Sequence, residues 1–207
     1  MGYLLPTEYV QYGLTAETTD DWITTASALM EGYCRRSTLL ASQYVERLRL
    51  TAGAQTVRLS YRPLVIVNGA TSPLVSVRAR YGRPRRGEIA DIFREQVATA
   101  FSVPGSWSVL DPLSIDVDQT TATLTLPANF LGINYNEVEA TYTSGVVEIP
   151  PALKVACAQI VRNAQATPGL NVKSSRLDTV QMQYFSGSLL DPQVQMLLRP
   201  YVAERVG

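Results

Sequence analysis

Hydrophobic positions repeat at helical spacing near the start of the chain. Thr18 and Asp21 have the spacing of a capping box, and Arg35 and Arg36 would place positive charge in the last turn. The apolar stripe between them consists of Trp22, Ala26, Leu29, Met30 and Tyr33. We therefore expect a helix there.

Two further stripes occur in the last third of the chain. The longer one follows Pro150-Pro151 and stops at Thr167-Pro168-Gly169, as a helix that starts at proline does. Its apolar positions are Leu153, Ala156, Cys157, Ile160, Val161 and Ala164. Asp191-Pro192 would begin a short terminal helix, which Pro200 kinks or ends. Its stripe is Val194, Leu197, Leu198 and Tyr201.

Between the first two stripes the pattern changes to alternation, which predicts β-strands. Residues 44–50 and 55–60 are expected to form a hairpin around Ala52-Gly53-Ala54. A strand at 75–81 would place Val75, Val77, Ala79 and Tyr81 on one face and Ser76, Arg78 and Arg80 on the other. A strand at 137–143 would present Val138, Ala140 and Tyr142 to the core.

Residues 82–132 read as a β-rich insertion. Strands are expected at 107–110, 115–117 and 121–126, with a short helix at 89–100 that carries Ile89, Ile92, Phe93 and Val97 on one side. Residues 170–188 are polar and suit an extended arm or a final strand.

These elements predict an α+β fold in a single domain, 1–207. A small helical bundle (the early helix, the long Ala-rich helix and the short C-terminal helix) would pack with an antiparallel sheet. The insertion lies at about 82–132, and the C-terminal arm and helix occupy about 170–207.

Composition supports a folded protein and restricts its partners. Hydrophobic residues make up 46% of the 207 residues, enough to bury a core. The 18 basic and 18 acidic residues cancel, so any contact with DNA must come from a local patch. No stretch approaches the ~20 apolar residues that span a bilayer, and no membrane partner is expected.

Residues that usually carry catalysis are missing. The chain has no histidine, the commonest general base and metal ligand. Cys34 and Cys157 lie on apolar helix faces and are expected to be buried thiols. Asp111, Asp116 and Asp118 lack the spacing of a calcium loop and suit a solvated strand end. We therefore expect no enzyme activity, no metal and no cofactor.

One basic cluster is distinct in the sequence. Five arginines fall within nine residues: Arg78, Arg80, Arg83, Arg85 and Arg86. They suit either a solvated or subunit-contacting loop, or a patch that meets nucleic acid.

The order of the elements resembles the head-to-tail connector (adaptor, or head-completion) family of tailed bacteriophages. The first match is the helix Asp21-Trp-Ile-Thr-Thr-Ala through Cys34-Arg-Arg, then a hairpin, then a strand led by Arg-Pro in Tyr61-Arg-Pro-Leu-Val-Ile-Val. The second is Glu137-Val-Glu-Ala-Thr-Tyr-Thr-Ser-Gly, followed by Ile149-Pro-Pro-Ala-Leu-Lys and the Ala-rich helix. Ser174-Ser-Arg-Leu-Asp and Leu197-Leu-Arg-Pro-Tyr complete the resemblance, which covers a little over half the chain and omits 82–132.

The resemblance implies a structural virion protein, made in the bacterial cytoplasm and placed at the head–tail neck. Such proteins form a ring, commonly of twelve copies, between the portal protein and a stopper or tail-completion protein, and DNA passes through without sequence recognition. The residues implied for portal docking are Leu189, Leu190, Val194, Leu197, Leu198 and Tyr201; Arg78, Arg80, Arg83, Arg85 and Arg86 are candidates for a channel or subunit contact. The terminal stripe equally suits packing on its own domain. A tail-completion or minor head protein and an unrelated soluble ligand-binding domain remain alternatives.

Overall fold

The computed structural model describes residues 2–15, 18–51, 54–67, 69–82, 92–101, 105–128, 132, 134–166, 174–177, 180–183 and 189–204. Its helices and antiparallel sheets confirm the α+β class. The helices are α1 (Asp20–Cys34), α2 (Ile92–Ala100), α3 (Pro151–Ala166) and α4 (Pro192–Leu198). The strands are β1 (Ser42–Arg49), β2 (Thr56–Arg58), β3 (Leu74–Arg80), β4 (Ser108–Leu110), β5 (Asp116–Asp118), β6 (Thr123–Thr125), β7 (Glu137–Ser144), β8 (Ser174–Leu177) and β9 (Val180–Gln183).

The chain divides into two compact units. The first comprises Met1–Ser37 and Glu148–Val202, and the second comprises Thr38–Val147 and Ala203–Gly207. None of the helices described is long and apolar enough to cross a membrane.

Helix α1 forms where predicted, and its buried face shares Ala26 and Met30 with the predicted stripe. The buried residues are Ile23, Ala26, Ser27, Met30 and Cys34, whereas Trp22 is exposed. The helix is preceded by Thr19 rather than Thr18, and no side-chain cap forms. Small side chains at 26, 27 and 34 let α1 lie close to α3. This close contact, and not the burial of the bulkier aromatic side chains, decides which face of α1 is buried.

Helices α3 and α4 confirm their sequence signals. Leu153, Cys157 and Ile160 are buried along α3, which starts at Pro151. Asp191 caps α4, since its Oδ1 accepts a hydrogen bond from the Val194 amide at 2.7 Å. Both α1 and α3 contact α4, so the three helices form the core of the first unit.

The second unit contains two antiparallel sheets, in the orders β1-β7-β3-β4 and β2-β6-β5. The hairpin predicted from 44–50 and 55–60 is wrong, because β1 pairs with β7 and β2 pairs with β6. Strands β1 and β2 therefore belong to different sheets. Val75 is half exposed at an irregularity between Leu74 and Ser76, so it leaves the apolar face predicted for β3.

The strands of the 82–132 segment do not form a sheet of their own. Strand β4 extends the main sheet through β3, and β6 pairs with β2 from outside the segment. Helix α2 confirms the predicted short helix, but Ile92 and Phe93 are exposed. Ile89 lies outside the described residues.

Two other segments differ from expectation. In the polar region 170–188, β8 and β9 pair with each other as a short hairpin. The run 64–67 after Pro63 makes only an isolated bridge, between Leu64 and Ser144.

Gly145, directly after β7, provides a test of the second unit's packing. Its φ is +127°, and a Cβ there would lie 2.4 Å from the Leu40 carbonyl oxygen. We expect Gly145→Ala to lower the free energy of unfolding by roughly 3 kcal/mol, since both backbone strain and a clash result. Gly32→Ala in α1, where a Cβ meets nothing, should raise it by up to about 1 kcal/mol. Urea denaturation of both variants measures the difference, and equal effects would contradict the tight contact at Gly145.

Candidate functional site

The face of the main sheet that points away from the core carries charges in register across three strands. Glu137 of β7 lies opposite Arg49 of β1 and Arg80 of β3. Glu139, which is two residues further along β7, lies opposite Arg47 of β1 and Arg78 of β3. The alternation of β7 produces this arrangement, because its apolar residues Val138, Ala140 and Tyr142 point to the core.

The carboxylate of Glu137 is the centre of the charge cluster. Its Oε2 accepts hydrogen bonds from Arg80 Nε at 2.6 Å and from Arg47 Nη2 at 2.8 Å, and Arg49 Nη1 lies 3.5 Å from Oε1. Burial by itself would raise the pKa of Glu137, but the hydrogen bonds from Arg47 and Arg80 outweigh burial and lower it. Glu139 has a simpler environment, with Arg78 Nη2 at 2.7 Å.

Trp107, just before β4, lies among the same arginines. The guanidinium carbons of Arg80, Arg78 and Arg47 are 4.6, 5.1 and 5.3 Å from the centroid of its ring. Cations at these distances are attracted to the indole quadrupole, so the ring helps to hold the three guanidinium groups together. We call this surface the arginine face; its members are Arg47, Arg49, Arg78, Arg80, Trp107, Glu137 and Glu139.

The arginine face carries an excess of positive charge and is accessible. Four arginines stand against two glutamates, and the side chains of Arg47 and Arg78 are 52% and 49% exposed. Apolar residues adjoin them: Val109, opposite Arg78 in β4, is 84% exposed, and Val45 of β1 is also exposed. The chemistry available is charge-assisted hydrogen bonding and apolar contact, which suits binding.

The structure brings together part of the arginine cluster predicted from sequence. Arg78 and Arg80 belong to the arginine face, whereas Arg83, Arg85 and Arg86 lie outside the described residues. Sequence inspection missed Arg47, Arg49 and Trp107. The alternation of residues in β1 indicated that Arg47 and Arg49 share one face of the strand. It did not indicate which strand pairs with β1, and that partner is β7.

The residues implied for portal docking lie in two environments. Val194 and Leu198 are completely buried in the first unit, so neither is available to a partner while α4 stays folded there. Leu189, Leu190, Leu197 and Tyr201 are half-buried. Met196, which the sequence reasoning did not single out, is 71% exposed on α4.

The thiols and carboxylates singled out in the sequence have structural environments. Burial raises the pKa values of Cys34 and Cys157 to about 11, so both are poor nucleophiles. Asp111 accepts a hydrogen bond from the Leu113 amide, and Asp118 accepts one from the Thr120 amide. Among the residues described here, no group of three or more His, Cys, Asp or Glu side chains could hold a metal ion.

Removal of the central carboxylate tests the charge cluster. We expect Glu137→Gln to lower the free energy of unfolding at pH 7 by about 3 kcal/mol, since several cations lose their buried partner. The folded pKa of Glu137 is lowered, so its contribution is present above the unfolded value of 4.5 and is lost as pH falls through the folded value. The variant should therefore show a weaker loss of stability below pH 4.5 than the wild type.

Glu139→Gln is the matched control, because Glu139 is more exposed and pairs with Arg78. Its expected cost is about 0.5–1 kcal/mol. Thermal unfolding followed at several pH values measures both variants. An equal effect of the two substitutions would mean that Glu137 is not the centre of the cluster.

Comparison with known proteins adds no relative. No protein-family model matches the chain, and no curated protein is significantly similar to it. The evidence for a function therefore comes from its own residues and their geometry.

Proposed function

We propose that this chain is a structural adaptor subunit of a tailed bacteriophage. It forms a ring beneath the portal at the head–tail neck, extends the DNA channel and offers an attachment surface to a stopper or tail component. The observation that carries the proposal is the order of the elements in the segments that resemble the connector family.

Three of those segments contain regular structure in the order that the resemblance implies, whereas the hairpin does not form and residues 61–67 make only the bridge between Leu64 and Ser144. The early helix is α1, the strand that ends before Gly145 is β7, and the helix that begins at the Pro-Pro pair is α3. Strand β7 is flanked by β1 and β3, while α1 and α3 pack together. The resembling sequences therefore belong to core elements, where sequence patterns report on the fold. Since one fold hosts many functions, the adaptor role needs a direct test.

Exposed hydrophobic side chains give the proposal a second, independent support. Ile92 and Phe93 of α2, and Phe101 just after it, are each at least 60% exposed. Large apolar side chains that remain exposed are typical of subunits that bury them in an assembly. This accords with a protein that works as part of a ring.

The proposed portal contact is restricted to the outer side of α4. Because Val194 and Leu198 are core residues, deletion of the C-terminal helix would damage the first unit as well as remove a docking element. A point substitution at Met196 avoids this problem, since the side chain is exposed and projects from the same helix.

We expect Met196→Asp to reduce loading of the chain onto the portal, because a charge would replace an apolar contact at the interface. Electron microscopy of portal complexes assembled with each variant measures the fraction of portals that carry a ring. The loss should be at least about tenfold, the equivalent of 1.4 kcal/mol per contact.

Gln193→Asp is the matched control, since Gln193 is also exposed on α4. It should load as the wild type does. If both variants load normally, portal docking does not use α4. If even the wild-type chain forms no ring on any portal and is absent from purified virions, the adaptor proposal fails.

A further inference from the structure

We infer that the arginine face is a contact surface for a second copy of this chain, and that it receives the exposed β5 strand of that copy. The inference rests on the proposed function, since it names the surfaces that join neighbouring subunits of the ring. Asp116 and Asp118 of β5 are called the acidic edge.

The composition of the arginine face favours a protein partner over DNA. Val45 and Val109 beside the arginines are exposed and offer apolar contacts that a phosphate backbone cannot use. Arginine and tryptophan beside exposed valines are instead the residues enriched at the centre of protein interfaces. The half-exposed guanidinium groups of Arg47 and Arg78 have more donors than their glutamate partners use.

The chain supplies carboxylates that fit this face. Within the described part of the second unit, the exposed acidic residues are Asp111, directly after β4, and Asp116 and Asp118 of β5. Strand β5 lies at the edge of its sheet, and no strand in the described part of the chain pairs with its other side. Hydrogen bonds from Thr121 and from the Thr120 amide keep the pKa of Asp118 below its usual range, so that carboxylate is charged at neutral pH.

The two surfaces belong to different sheets. In the proposed ring, the contact between the arginine face of one subunit and the acidic edge of the next is heterologous, because each copy contributes a different patch. In a linear row of subunits joined in this way, the arginine face stays free at one end and the acidic edge stays free at the other. Repetition then closes a ring when the rotation per step allows it.

Cysteine cross-linking tests this pairing directly. Val109→Cys labels the arginine face, and Gln119→Cys labels the turn after the acidic edge, where Gln119 is exposed. The native Cys34 and Cys157 are buried and should not react. We expect a bis-maleimide to cross-link a mixture of the two single variants into a heterodimer. The yield should fall roughly tenfold at 1 M salt, where the Debye length is about 3 Å.

Val10→Cys, an exposed position in the first unit, replaces Val109→Cys in the control mixture and should give only background cross-linking. Cross-linking of Val109→Cys with itself at the same yield would overturn the head-to-tail pairing. So would an absence of cross-linking in rings that are visible by electron microscopy; in that case the adaptor proposal stands and only the surface is wrong.

Complementary defects give a second readout. Val109→Asp blocks the arginine face, and Asp116→Lys blocks the acidic edge, with Asp118 and its turn left intact. Each variant alone should form no ring, whereas an equal mixture should form discrete dimers, since one functional contact remains per pair. Analytical ultracentrifugation with circular dichroism as a folding check measures this outcome. Rings formed by either variant alone would overturn the inference, and wild-type rings that never load onto portal would contradict the adaptor role while supporting the contact.

Discussion

The second unit depends on the pairing of β7 with a strand on each side. Val138, Ala140 and Tyr142 fill the core from one face of this strand, so alternation sends Glu137 and Glu139 to the other face. Burial of a carboxylate next to the sheet is costly unless cations compensate it. The flanking strands provide that compensation, because an arginine faces each glutamate from either side. A change in strand register would separate these charges, so the register of the sheet and the charge pairing on its outer face depend on each other.

Arginine rather than lysine suits this arrangement. A guanidinium group can bind a carboxylate with one edge, lie over an indole ring and still present donors to a neighbour. Arg47 binds the carboxylate of Glu137, and Arg78 binds that of Glu139. Both guanidinium groups also lie over the indole ring of Trp107. A lysine ammonium is a single hydrated charge without a flat surface, so it could not keep the ring and the carboxylate together. The excess of cations is therefore held in fixed positions, which lowers the entropic cost of binding an acidic partner.

Local patterns predicted the helices well and the strand pairing poorly. The proline start and unbroken stripe identified α3, and Asp191 with its proline identified α4. Strands β1 and β2 were found, but adjacency in sequence suggested a hairpin, whereas their partners are 65 or more residues away. The site shared this weakness. Arg78 was recognised because other arginines follow it, while Trp107 joins the site only when β4 pairs with β3. Nothing local encodes such pairing.

The division of the chain into units has a consequence for the order of folding. The second unit is built mainly from one continuous stretch, 38–147. In the first unit α1 packs on α3, and 116 residues lie between the end of α1 at Cys34 and the start of α3 at Pro151. During synthesis the ribosome therefore releases the sheets before the partner of α1 exists. Until α3 has been synthesised, the apolar face of α1 has no helix to pack against. The late closure of this long loop makes the helical unit the slow step of maturation.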